Sequence, residues 1–294
     1  MDQLNVTYQD HYKAALNPIS GDLKLNLLRE LKSYLKISTD EETVYKTCQQ
    51  ATQNILDNWQ KQKINPTDAT AVSSFYTNMD LYCYELIGLE IDAPVYRQEQ
   101  LKQFVELLKN NKRLRGCDFG SGIGTLGIYL NQNGVQCDFA DVSDINLDFI
   151  SARLQQRNLK GVKTINLNRE QLPAEHYEFI TAFDVLEHVA NPIEIIQEIH
   201  SKLRVDGLFI FNLIYHNEEN TPHILGDPNP IRKSIRGFGF RKLTSIGEFK
   251  VYKKVDRPAF VNSTIRALDE VFWNFKTKVQ TYKQALIKRP ANST

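Results

Sequence analysis

The chain has 294 residues, of which 41% are hydrophobic and 24% charged, enough for one core of roughly 150 to 200 residues with additions and unlike the make-up of a disordered chain. Lysine and arginine total 36 against 35 acidic residues, and a formal charge of +1 gives no field to gather nucleic acid or an anionic membrane. No apolar run approaches the ~18 residues that a membrane span needs and no apolar stretch follows a basic start, so a soluble, cytoplasmic protein without nucleic-acid or membrane partners is expected.

The first ~110 residues read as helical. DLKLNLLRELKSYLK sets Leu23, Leu27, Leu28, Leu31 and Leu35 at helical spacing. Thr39 and Glu42 have capping-box spacing and predict a helix starting at Thr39 that runs through Val44, Cys48, Ile55 and Trp59 to the break at Asn65-Pro66. A third helix from near Asp68 carries FYTNMDLYCYELIGLEI, and a fourth is VYRQEQLKQFVELLKNN. Residues 1–110 are therefore expected to form an all-α extension.

From Arg113 short apolar runs alternate with helical segments, the pattern of an α/β unit whose parallel sheet has helices on both faces. The strand candidates are RLRGCDF, GVQCDFADV, VKTINLN, YEFITAFDV and GLFIFNLI, with FRKL and FKVYKKV closing the sheet. The count is seven strands, mostly parallel, within residues 111–256. PIEIIQEIHSKLRV reads as a helix before the fifth strand. Residues 257–294 include a further helix from Thr264 to Lys288, whose Phe272, Trp273, Phe275 and Tyr282 would pack on the core, form a homodimer face or meet a partner domain. Cys48, Cys83, Cys117 and Cys137 lack metal-ligand spacing and fit small buried residues in a reducing compartment.

The chemistry concentrates in GCDFGSGIGTLG, where a strand ends in Asp118 and Gly120, Gly122 and Gly124 precede a helix. Glycines allow positive φ and close approach of a ligand, and a helix N-terminus offers N–H groups to a carboxylate or phosphate. The second strand ends in Asp141, whose carboxylate can accept hydrogen bonds from the two ribose hydroxyls of an adenosine. Capping the following helix is the alternative role of Asp118 and of Asp141. A dinucleotide fingerprint needs glycine three residues after its second glycine, where this chain has Thr125.

These residues resemble the first motif of the class I S-adenosylmethionine-dependent methyltransferases: an acidic strand end, Asp118, and a GxGxG turn from Gly120 through Ser121 and Gly122 to Gly124. FDVLEHVANPIEIIQEIHSKLRVDGLFIF is similar to the fourth and fifth strands of the subgroup containing ubiquinone-biosynthesis O-methyltransferases, so the likeness covers roughly residues 113 to 214. Asp206 departs from it, standing where many relatives have Pro or Gly.

The resemblance implies a Rossmann-like fold with S-adenosylmethionine as cofactor. It assigns the methionine part to the backbone of Gly120 to Gly124 with Asp118 near the amino group, ribose to Asp141, adenine to Val142 with Leu167 or Asn168, and the sulfonium neighbourhood to Asp184 and Val185. The helical extension would then be a lid, with Tyr76, Tyr82 and Tyr84 its candidates, although Phe75, Met79, Tyr82 and Leu86 equally make a core stripe.

Acceptor contacts are expected from His188, Tyr215, His216 and His223, near the carboxyl ends of the strands. A supporting role that orients the loop after the fourth strand is the alternative for His188. No metal is implied, because His216 and His223 lack a further carboxylate or cysteine cluster in the sequence. The expected activity is methyl transfer to an oxygen or nitrogen, a carboxylate included, of a small molecule or short peptide, in the manner of natural-product tailoring. Another nucleoside-dependent transferase and a donor-binding protein without transfer are the competing classes.

Overall fold

The computed structural model describes residues 21–92, 94–214 and 220–256, with Thr264, Ala267 and Leu268 beyond them. Tyr215, His216 and nearly all of the expected helix from Thr264 to Lys288 lie outside the described residues.

Helix α1, Leu23–Leu35, is capped by Asp22, whose side chain accepts the Leu25 N–H, and it buries Leu27, Leu28 and Leu31. Helix α2, Glu41–Gln62, is capped by Asp40 and not by Thr39 as the capping-box spacing suggests. The Asp40 carboxylate takes the Thr43 N–H at 2.8 Å and its hydroxyl at 2.9 Å, one residue later than the sequence reading. Helix α3, Ala69–Thr77, starts after the Asp68 cap, as the sequence suggests.

The aromatic-rich stretch does not continue as one helix, because α4, Leu81–Asp92, is separate. Asn78 ends α3: its backbone and side-chain N–H groups both reach the Ser74 carbonyl, the local competition that Asn offers a helix. Helix α5, Pro94–Asn110, leads to the sheet, with Pro94 at a position where a missing N–H does no harm.

The sheet comprises β1, Arg115–Phe119; β2, Gln136–Asp141; β3, Thr164–Asn166; β4, Tyr177–Ala182; β5, Leu203–Phe211; β6, Phe240–Ile246; and β7, Phe249–Lys254. Its order is β3-β2-β1-β4-β5-β7-β6. The first five are parallel and β7 runs antiparallel to both β5 and β6. Between the strands lie helices α6, Thr125–Gln132; α7, Asp144–Gln156; α8, Pro192–Lys202; and α9, Asn229–Gly237. The chain winds outward from β1 to β3 and restarts at β4, so the carboxyl ends of β1 and β4 flank the switch point where sheets of this kind bind ligands.

The junction of α8 and β5 differs from the sequence reading, which carried the helix through Val205. The helix ends at Lys202, and Leu203 at once pairs with Tyr177. Asp206 then takes φ 64° and pairs with Lys253 Nζ at 2.5 Å, so its departure from the relatives' turn residue is accommodated by a left-handed backbone and an ion pair.

Two buried clusters sandwich the sheet. One joins α1, α2, α4 and α5 to one face through Leu31, Cys48, Ile87, Phe104, Phe179 and Ile210. The other packs α8 and α9 on the opposite face through Ile180, Ile196, Ile199, Phe209 and Ile235. The four cysteines are free and buried, as expected. A buried ion cluster also ties the extension to the sheet: Glu30 of α1 receives Arg153 Nε of α7 at 3.2 Å and Nη1 of Arg157, the C-cap of α7, at 2.5 Å.

Candidate active site

Strand β1 ends in Phe119, one residue beyond the sequence reading, and Asp118 before it is aligned in register with Thr181 of β4, whose hydroxyl donates to its Oδ1 at 2.6 Å. Burial pushes the Asp118 carboxyl up to about 7, with the Thr181 hydrogen bond opposing. The turn that follows sets Gly120, Gly122 and Gly124 at φ 70°, 52° and 78°. A Cβ on Gly120 would lie 2.4 Å from Val185 Cγ2, so only glycine lets the turn and the end of β4 approach this closely.

Four amides of this turn are engaged within the protein. Gly120 and Ser121 N–H donate to the Ala140 carbonyl at 2.8 and 3.1 Å, Gly124 N–H donates to Ser121 O at 2.8 Å, and Gly122 N–H donates to Asp141 Oδ2 at 2.9 Å. Ser121 Oγ and Thr125 Oγ1 at the same turn are buried without a hydrogen-bond partner.

At the end of β2, Asp141 takes the Gly122 N–H on Oδ2 and the Ser143 N–H on Oδ1 at 2.9 Å. Burial raises its carboxyl, and these backbone bonds oppose the rise. Asp184, after β4, has φ 54° and is held by Asn212: its N–H donates to Asn212 Oδ1 at 2.8 Å, and Asn212 Nδ2 donates to its Oδ1 at 2.5 Å. A non-glycine residue in that region is a strained position of the kind found at functional sites.

A cavity of about 980 Å³ opens at this point. Asp118, Gly120, Ser121, Gly122, Asp141, Val142, Leu167, Asp184, Val185, His188 and His223 all line it, drawn together from across the sequence. Gly124 and Asn168 are not among its lining residues. Asn168 instead donates to Thr77 Oγ1 at 3.0 Å and Val142 O at 3.1 Å, fastening α3 to the end of the sheet.

The aromatic stretch divides between the two roles read for it. Phe75 and Met79 pack with Trp59 in a buried cluster, Tyr76, Tyr82 and Leu86 face the cavity, and Tyr84 packs against the larger core.

His188 is held by Tyr76, its Nδ1 lying 2.6 Å from Tyr76 Oη and 3.1 Å from Pro222 O. Burial takes its pKa down to about 3, with the nearby His223 adding to the fall, so the ring is neutral. The His223 ring centroid is 4.5 Å away. Glu187 is wholly buried and neither of its side-chain oxygens has a hydrogen-bond partner. Burial pushes its carboxyl up to about 8. Its backbone carbonyl accepts the Ile224 and Leu225 N–H groups at 2.8 and 3.3 Å, which seats the loop carrying His223.

Sequence reasoning gave no site role to Thr125 or Asn212, and it met Glu187 only as the acidic partner of His188 in the run from Asp184 to His188. Thr125 carries a signal in hindsight, as the first residue of a helix that follows the glycine turn. Asn212 carries none, since its importance comes from the hydrogen bonds it makes with Asp184 across two strand ends.

Residues 95–232 match the family model of a methyltransferase domain. The matched segment is just under half of the chain and holds strands β1 to β5 with the glycine turn. No curated protein matches the chain. Similar solved structures include magnesium protoporphyrin IX methyltransferase from Synechocystis PCC 6803 with bound S-adenosylmethionine, at 19% identity over 61% of this chain and 86% of that one, with a TM-score of 0.43. An O-methyltransferase family protein from Burkholderia thailandensis is 16% identical over 60% of this chain and 61% of its own, with a TM-score of 0.46. A SAM-dependent methyltransferase from Aquifex aeolicus is 15% identical over 54% of this chain and 98% of its own, with a TM-score of 0.41.

S-adenosylmethionine is the cofactor that the sequence resemblance implies, and the residues of this site fit it. The unpartnered Ser121 and Thr125 hydroxyls suit the carboxylate of an amino-acid tail, and the Asp118 carboxyl suits its ammonium. Asp141, at the neighbouring strand end, retains acceptor lone pairs for a ribose hydroxyl pair.

Proposed function

We propose that the protein is an S-adenosylmethionine-dependent methyltransferase that acts on an oxygen or nitrogen nucleophile of a small, largely apolar molecule or short peptide of the natural-product kind. The cavity carries this reading. Its volume of about 980 Å³ lies at the upper end of small-molecule sites and leaves room for an acceptor beside the donor. The helical extension contributes Ile55, Leu56, Val72, Leu86 and Leu89 to its lining, together with Ile195 and Ile214 of the core.

Charge narrows the acceptor further. Glu85, Glu90, Glu170, Glu194 and Glu198 line the cavity together with the site aspartates, and no lysine or arginine does so among the described residues. Such a lining repels an anion, which favours a neutral or cationic acceptor over a free carboxylate or a nucleic acid.

The bound donor supplies an electrophilic methyl on a sulfonium, and the transfer is an in-line displacement whose rate depends on alignment and exclusion of water. Asp118 and Asp141 would fix the donor at its two ends, with Val185 close to the reacting group. His188 and His223 stand at the acceptor end and would contact the nucleophile; His216 remains a proposed third contact. The apolar lining from the helical extension would keep water from the reacting atoms.

The test is incubation of isotopically labelled S-adenosylmethionine and the protein with an extract of the native cell, followed by mass identification of labelled products. A labelled neutral or basic small molecule is expected. Calorimetric binding of S-adenosylhomocysteine with no labelled product in any fraction would instead mark a donor-binding protein.

A further inference from the structure

We propose that Glu187, His188 and His223 bind one divalent transition-metal ion, with coordination positions left open toward the acceptor end of the cavity. The sequence shows only a Glu-His pair and a histidine on a distant loop. In the fold their candidate donor atoms all lie within 4.8 Å of one another. Four-coordinate zinc with bonds of about 2.1 Å holds its ligands roughly 3.4 Å apart, so small side-chain rotations of about 1 Å close the set around an ion.

The state of Glu187 is the second observation. A wholly buried carboxyl with neither oxygen hydrogen-bonded is costly and rare in a folded protein. Ordinary packing gives no reason to retain it, and an apolar residue of similar size would fill the same space at lower cost. A divalent cation gives both oxygens a partner and makes the buried charge favourable.

The third observation is the support behind His188. Tyr76 Oη lies 3.0 Å from Pro222 O and donates to it, and the same carbonyl is 3.1 Å from His188 Nδ1. An unprotonated Nδ1 would set its lone pair against that carbonyl. The proton therefore sits on Nδ1, donated toward Tyr76 Oη and Pro222 O, and the Nε2 lone pair is free to ligate. Metal-binding histidines are oriented by this kind of outer hydrogen bond.

Two imidazoles and one carboxylate suit zinc, cobalt, manganese or ferrous iron better than magnesium or calcium, which prefer all-oxygen sets. His188 and His223 line the cavity, whereas Glu187 stands behind it, so the open positions face inward. There an ion would hold an acceptor oxygen and lower the pKa of a hydroxyl. That role rests on the proposed methyl transfer, but metal binding itself does not.

The experiment uses the full chain stripped with a chelator and then titrated with Co²⁺, followed by its visible absorption band and by elemental analysis, with Zn²⁺ as competitor. One Co²⁺ per chain, displaced by Zn²⁺, is expected, with affinity at least ~100-fold weaker in Glu187→Gln and in His223→Ala and about tenfold weaker in Tyr76→Phe. S-adenosylhomocysteine binding, measured in parallel, reports that each variant is folded and tests the donor site separately. If one ligand variant loses that binding, the other decides, and Tyr76→Phe decides if both do. Absence of stoichiometric Co²⁺ on the wild type, or variants that bind it as the wild type does, overturns the proposal.

Discussion

The Asp141 carboxylate accepts the Gly122 N–H at 2.9 Å across the gap between two strand ends, so the residue read as the ribose ligand also sets the glycine turn. Its other oxygen takes the Ser143 N–H, also at 2.9 Å. Replacing Asp141 with Ala leaves two amides without their acceptor and removes the charged partner of the ribose. Donor binding is expected to weaken by about 1 to 3 kcal/mol, roughly 10- to 100-fold, with a lower melting temperature. Calorimetry with S-adenosylhomocysteine checks this, and wild-type affinity in a folded Asp141→Ala protein would remove the ribose assignment.

Asp118 should make donor binding depend on pH. Its carboxyl, at about 7 in the folded protein, is raised from 3.8 by burial, so the fold favours the neutral form. The stability this contributes is complete below about pH 4 and is lost as pH rises through 7. A ligand ammonium prefers the carboxylate, so binding changes in the opposite sense and strengthens with pH. S-adenosylhomocysteine is expected to bind about tenfold more weakly at pH 6 than at pH 8, and Asp118→Asn should flatten both trends. Affinities of the wild type that do not change across that range would show that Asp118 does not face the ammonium.

Gly120→Ala combines two penalties. The residue sits at φ 70°, and its new methyl would meet Val185 Cγ2 at 2.4 Å and Cγ1 at 3.1 Å. A loss of about 2 to 4 kcal/mol in urea unfolding is expected from left-handed strain and overpacking together. Val185→Ala in the same chain removes the collision and leaves the strain, so the double variant should recover part of the loss and no more. Full recovery would mean that the backbone conformation carries no penalty.

The central sheet was legible because its strands are short apolar runs that end at or beside charged or glycine residues, as at Asp118 and Asp141. A pattern of that kind depends on local burial alone. The division of the aromatic helix at Asn78 was not legible, since Asn is tolerated within helices and its turn back to the Ser74 carbonyl is one of several local options. The reach of β5 back to Leu203 was hidden for a related reason: HSKLRV suits a helix equally well, and pairing with Tyr177 decides the matter. The Glu187, His188 and His223 cluster lay further out of reach. It depends on hydrogen bonds from Ile224 and Leu225 to the Glu187 carbonyl, a contact between a loop after β4 and one after β5 that leaves no periodic trace.

Glu30 is the buried anion between Arg153 and Arg157, at 3.2 and 2.5 Å. Arg153 Nη1 also donates to the Ile123 carbonyl at 2.5 Å, inside the glycine turn. Helix α1 is thus coupled to the donor loop through one arginine. Glu30→Ala would leave two buried guanidinium groups without their anion, and breaking a buried pair from one side costs about 3 to 5 kcal/mol. Urea unfolding should show that loss, and S-adenosylhomocysteine should bind more weakly because Arg153 no longer fixes Ile123. Glu30→Gln keeps the shape and an acceptor oxygen, so it should fall between the two. A stability loss in Glu30→Ala under about 1 kcal/mol, with donor affinity intact, would mean that water reaches the arginines and that the extension is anchored by apolar packing alone.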